Sequence, residues 1–141
     1  MSRELDLFAS DVSEAVAEEI ADLLENIGHL SVFDDTHGYY VDGIGPHTAV
    51  LPEDWRDRSR LYTPPSAPGV VALAPHPEDI ATSKLYAGRD KDLDWVGAAY
   101  AAGFINLDRV AERIDRLPDL TETMRSAVLD RISIVRHREQ D

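Results

Sequence analysis

The sequence predicts an α+β (or α/β) protein: a small mixed sheet with one early helix, followed by a C-terminal helical bundle. Three observations carry this. Short β-type runs are confined to the first 74 residues, a helical apolar period interrupts them once at residues 10–27, and after Ala74 helical signals follow one another almost to the end. At 141 residues and without an internal repeat, the chain fits a single domain over 1–141, with a sheet-containing half at 1–74 and a helical half at 75–141.

Arg3–Ala9 alternates loosely and reads as a short strand. From Ser10 to Ile27, Val12, Val16, Ile20, Leu23, Leu24 and Ile27 fall on one arc, with Asp11, Glu14, Glu18, Asp22 and Glu25 opposite. Ser10 is placed to cap that helix and Gly28 to stop it. His29–Gly38 is irregular, Tyr39–Val41 is strand-like, and Asp42–Pro46 must turn. Thr48–Leu51 and Arg58–Tyr62 read as strands around a bend at Pro52–Trp55. Thr63–Gly69, with Pro64, Pro65 and Pro68, is a loop and the main internal boundary, and Val70–Ala74 reads as a buried apolar strand. Helices follow: one opening at Pro77 with two acids behind it, then Asp92–Ala102, Leu107–Leu117 after an Asn106 cap, and Thr121–Arg136.

Composition excludes several classes. Hydrophobic residues make up 43% and charged residues 29%, which suits a folded domain rather than a disordered tail. The longest run without charged or strongly polar residues, Val96–Ile105, is about half a membrane span, and no apolar leader follows Met1, so a cytoplasmic protein without a membrane is expected. The absence of cysteine removes disulfides, thiolate metal sites and a thiol nucleophile. The net charge of −13 is uneven: residues 1–55 hold thirteen acids and one base, Arg3, a balance of −12. Such a surface repels phosphate backbones and argues against broad nucleic-acid binding. It suits a divalent cation or a basic protein partner, and equally a solvated acidic face.

Two places concentrate chemistry. The only two lysines, Lys84 and Lys91, lie in one stretch with Arg89 and Asp92, and Lys84 falls amid the arc of Ile80, Ala81, Leu85 and Ala87. A lysine there either snorkels or lines a polar cleft where an anion meets it. Arg89, Lys91 and the helix start at Asp92 would then hold a phosphate chain, unless Asp90 or Asp92 simply caps the helix and pairs with Arg89. Glu4 and Asp6 sit two apart, on one face of a strand, where paired carboxylates repel unless a cation lies between them; magnesium, with substrate phosphates, is the usual solution. His37, Asp42 and His47, with Asp34 and Asp35 nearby, match no regular ligand spacing. His29, His76 and His137 read as surface or capping residues, and Trp55 and Trp95 as core.

The run from His37-Gly38-Tyr39-Tyr40-Val41-Asp42-Gly43-Ile44 to Pro52, continued by Trp55-Arg56-Asp57-Arg58, resembles a bacterial family of nucleotidyltransferase-like proteins of unassigned function. So do Pro77-Glu78-Asp79-Ile80-Ala81-Thr82-Ser83-Lys84-Leu85 and Ala87-Gly88-Arg89-Asp90-Lys91-Asp92-Leu93. The resemblance covers residues 2–117 and is distant to nucleotidyltransferase toxins of abortive-infection systems. It implies a truncated polymerase-beta-like fold. It also implies catalytic roles for Glu4, Asp6 and Asp92, magnesium on Glu4, Asp6 and Asp42, and a triphosphate met by Lys84, Arg89 and Lys91. In such enzymes a Gly-Ser turn grips the triphosphate ahead of the carboxylate strand; this chain starts at that strand. Two readings follow: a magnesium-dependent transfer from a nucleoside triphosphate to an acceptor hydroxyl, or a catalytically incomplete relative serving as a protein-binding module. The second would act as a homodimer or with a basic partner, for example in a toxin–antitoxin pair.

Overall fold

The computed structural model describes residues 3–44, 48–66 and 68–138. It is an α+β chain that divides into two compact units, Met1–Ala49 and Val50–Asp141. The division falls ahead of the proline-rich loop, which lies inside the second unit.

The first unit is a strand–helix–strand motif. Strand β1 (Glu4–Leu7) pairs in parallel with β2 (Tyr40–Gly43), in the register Glu4↔Tyr40, Leu5↔Val41, Asp6↔Asp42 and Leu7↔Gly43. Parallel strands need a crossover, and α1 (Glu14–Leu24), a 3-10 turn at Glu25–Ile27 and α2 (Val32–His37) supply it. The N-cap of α1 is Ser13, whose hydroxyl accepts from the Val16 amide, and not Ser10; Asp11 has a positive φ of 62°, so the chain is still turning there. Helix α2 replaces the irregular stretch expected at His29–Gly38. It has no apolar stripe, and local caps make it: Ser31 accepts from the Asp34 amide, and Gly38 ends it at φ 73°. A Cβ on Gly43 would lie 2.5 Å from Ala21 Cα, so glycine is what lets α1 lie on β2.

The second unit is mostly helical. A short helix α3 (Trp55–Arg58) stands where a bend and the start of a strand were expected, and β3 is shortened to Arg60–Tyr62. It pairs antiparallel with β4 (Ala72–Ala74) across the proline-rich loop. Thr48–Leu51 forms no strand; instead Val50 packs against the helical core. Nor is Val70–Ala74 a buried strand: a two-stranded hairpin offers no second layer to bury it, and Val70 and Val71 are exposed. Helices α4 (Pro77–Ala87), α5 (Asp90–Ala101), α6 (Leu107–Ile114) and α7 (Glu122–Arg138) follow within a few residues of the sequence boundaries. Their apolar faces close one core around Leu85, Val96, Leu107, Val110, Ile114, Val128 and Val135.

Candidate functional site

In the first unit, the alternation of β1 puts Glu4 and Asp6 on one face, and the parallel register sets Asp42 directly beside Asp6. One carboxylate oxygen from each of Glu4, Asp6 and Asp42 lies within 4.8 Å of the others. The Asp42 side chain is held by the His29 amide, which donates to Oδ1 at 3.3 Å. Gly28 makes room for it, since a Cβ there would come to 3.1 Å from the same oxygen. Three like charges this close repel by roughly 1 kcal/mol per pair in water and more where solvent is partly excluded. Three hard oxygen donors on adjacent strands match the ligand preference of magnesium, which takes one or two carboxylates and fills its remaining positions with water or phosphate oxygens. The donor set therefore fits the cofactor expected for it.

Of the other residues grouped with Asp42, Asp34 and His37 meet partners elsewhere. Asp34 is buried; it receives Arg3 Nη2 at 2.7 Å and the Leu30 amide at 3.2 Å. His37 stacks on Phe33 at 4.4 Å between ring centroids. His47 lies outside the described residues.

In the second unit, the turn between α4 and α5 gathers the lysine–arginine stretch. Lys84 is half-buried, with Nζ 3.6 Å from Asp92 Oδ1 and 5.4 Å from the centre of the Trp95 ring. Arg89, the N-cap of α5, donates from Nε to Asp92 Oδ2 at 2.6 Å and from Nη2 to Oδ1 at 3.1 Å, and its amide meets the same carboxylate at 3.3 Å. Asp92 is fully buried. Burial pushes its carboxyl up, yet the Arg89 hydrogen bonds and the charges of Arg89 and Lys84 outweigh that and hold it below the usual carboxylate range. One carboxylate thus serves two cations, with Lys91 exposed one position before it. The carboxylate capping the helix and pairing with Arg89, one of the two alternatives the sequence offers, is the arrangement found; the same carboxylate also meets Lys84.

A second ionic cluster was not legible. Arg58 donates to Asp79 Oδ1 and Glu78 Oε2, both at 2.9 Å, and Arg113 donates to Asp79 Oδ1 at 2.7 Å and pairs with Asp54. Glu78 and Asp79 read as first-turn acids of α4; nothing local reveals arginines 20 to 34 positions away as their partners. His76 caps α4 through Nδ1, which accepts from the Glu78 amide at 3.2 Å. Trp95 is half-buried against the core, and Trp55 half-buried in α3.

A family model described as a nucleotidyltransferase of unknown function (DUF6036) matches residues 3–134. No curated protein and no solved structure matches the chain. Among the described residues, no helix is long and apolar enough to cross a membrane.

Proposed function

Since the chain belongs to this nucleotidyltransferase family, we propose that it transfers a nucleotidyl group from a nucleoside triphosphate to an acceptor hydroxyl, with magnesium as cofactor. The observation that carries the reading is the convergence of Glu4, Asp6 and Asp42 on adjacent strands. These three would hold the ion, which when bound supplies charge neutralisation at the phosphates and an acidified acceptor hydroxyl. Transfer forms one bond from the acceptor oxygen to the α-phosphorus, breaks the bond to the bridging oxygen and releases pyrophosphate, with the hydroxyl proton passing to solvent. The protein's share is positioning and electrostatics. By the family resemblance, Lys84, Arg89 and Lys91 are the second unit's cations for a triphosphate, and Asp92 would act through them, since its carboxylate meets both Lys84 and Arg89.

One observation favours the second reading. Asp92 already satisfies Lys84 and Arg89, so neither charge requires a triphosphate for its solvation. A protein-binding module, of the kind found in toxin–antitoxin pairs, would keep that arrangement for stability alone.

Thermal melting with magnesium and each nucleoside triphosphate separates the two. Binding at 100 times the dissociation constant adds about 2.7 kcal/mol of stability, a rise expected to vanish in Lys84→Ala and to shrink in Asp6→Asn. Transfer of label from the α-phosphate to an acceptor then tests the chemistry. A melting curve unmoved by nucleotide, in wild type and variants alike, overturns the enzyme reading.

A further inference from the structure

The first unit leaves a layer unfinished. In a parallel strand pair, facing residues share a side, so Leu5, Leu7, Val41 and Gly43 lie on the face opposite Glu4, Asp6 and Asp42. Helix α1 covers that face at Gly43, where Ala21 meets the sheet. Over β1 the cover stops: Leu5 and Leu7 are 53% and 40% exposed, while their neighbour Val41 is buried.

Helix α1 shows the matching defect. At 100° per residue its apolar arc runs from Leu23 and Val16 through Ile20 to Leu24, Ala17 and Ala21. The end of the arc at Leu24, Ala17 and Ala21 is half-buried, and the end at Val16 and Leu23 is 42% and 65% exposed. In the right-handed crossover that such motifs adopt, the Val16–Leu23 flank turns toward the side on which β1 lies. Floor and wall then form one apolar corner whose residues Leu5, Leu7, Val16 and Leu23 are all exposed.

Charge states what the occupant must carry. Residues 1–49 hold eleven acids against Arg3, and Arg3 is already engaged by Asp34 and the Gly38 carbonyl. Glu19 and Asp22 follow Leu23 around α1 on the solvent side of the wall, and both are exposed. A second copy would bring the same acidic unit to this surface and be repelled.

We propose that the corner between α1 and the Leu5–Leu7 face of β1 is a docking site for the apolar face of a basic amphipathic helix from a partner protein. The site lies on the opposite side of the sheet from the carboxylates, so it goes beyond the transfer reading and stands without it.

The probe is a labelled synthetic peptide of leucine and lysine arranged as a one-sided helix, against a scrambled peptide of identical composition, read by fluorescence anisotropy on the full chain. Docking predicts that the one-sided peptide binds at least about tenfold tighter than the scrambled one. It also predicts about a tenfold loss in Val16→Asp and in Leu7→Asn, each removing a side chain the helix would bury. Glu19→Lys, a fully surface change that leaves the fold intact, should weaken binding several-fold and flatten its salt dependence. The proposal is overturned by equal binding of the scrambled peptide, by no binding, or by affinity untouched in all three variants. Sedimentation showing a wild-type dimer that Val16→Asp dissociates also overturns it, because a second copy would then be the occupant.

Discussion

The two units of this chain solve the folding problem to very different degrees. Among the described residues, the first buries one apolar side chain, Val41, while the second buries thirteen in a continuous cluster. The first carries ten of the thirteen net negative charges and presents a two-stranded parallel sheet, an arrangement that is marginal unless covered on both faces. The second sets eleven arginines and two lysines against its sixteen acids and packs four helices on one another. The difference teaches where stability and chemistry are divided: the helical unit closes a core of its own, whereas the acidic unit leaves its carboxylate face and its Leu5–Leu7 face open, the two places where the proposed cation and helix would bind. Hydrogen exchange resolved by segment is the natural probe, because it reads the opening free energy of each unit separately.

The largest effect should come from Leu85→Ala. Leu85 is fully buried, and its truncation leaves a cavity costing about 3–5 kcal/mol, seen as lost protection across α4–α7. Leu5→Ala, in the acidic unit, should cost no more than about 0.5 kcal/mol. Equal losses would break the contrast. Next is Gly43→Ala, where the added methyl meets the α1 backbone at Ala21 and must lift the helix from β2. About 2 kcal/mol of overpacking strain is expected, with α1 and β2 losing protection and α4–α7 keeping theirs.

Asp92→Asn should cost about 2 kcal/mol at neutral pH by leaving Lys84 and Arg89 beside a buried neutral amide. Its pH dependence has a definite sign. The folded carboxyl is held below its ordinary value, so its contribution is complete above the unfolded carboxyl's pKa, about 4. It is lost as pH falls through the lower folded value, and the variant should show a flatter acid limb of the stability curve. The smallest effect is expected from Asp42→Asn. Removing one of three crowded charges should stabilise the acidic unit by about 0.5 kcal/mol without magnesium and abolish any stabilisation by magnesium. A variant still stabilised by magnesium would place the ion elsewhere.

Much of this molecule was determined by local sequence. The four C-terminal helices are legible because their caps are local: Pro77 opens α4, Asn106 accepts from two amides of α6, and Gly88 ends α4 at a φ of 69°. The same holds for the shared face of Glu4 and Asp6, which needs only the period of a strand. Helix α2 escaped because six residues carry no period, and the strand expected at Thr48–Leu51 failed because Val50 found a better partner in the helical core. What tertiary structure alone decided is which charges meet. Sequence placed Asp42 in a turn, and only the parallel register brought its carboxylate to Asp6. Lys84 lies amid apolar neighbours on its own helix, and only the packing of α5 on α4 showed that Asp92 answers its charge. Arg58, Arg113 and Asp79 converge across more than thirty positions for the same reason. A side chain's face is fixed by the geometry of its own few residues, whereas its partner depends on how the elements dock, and docking is a property of the whole fold.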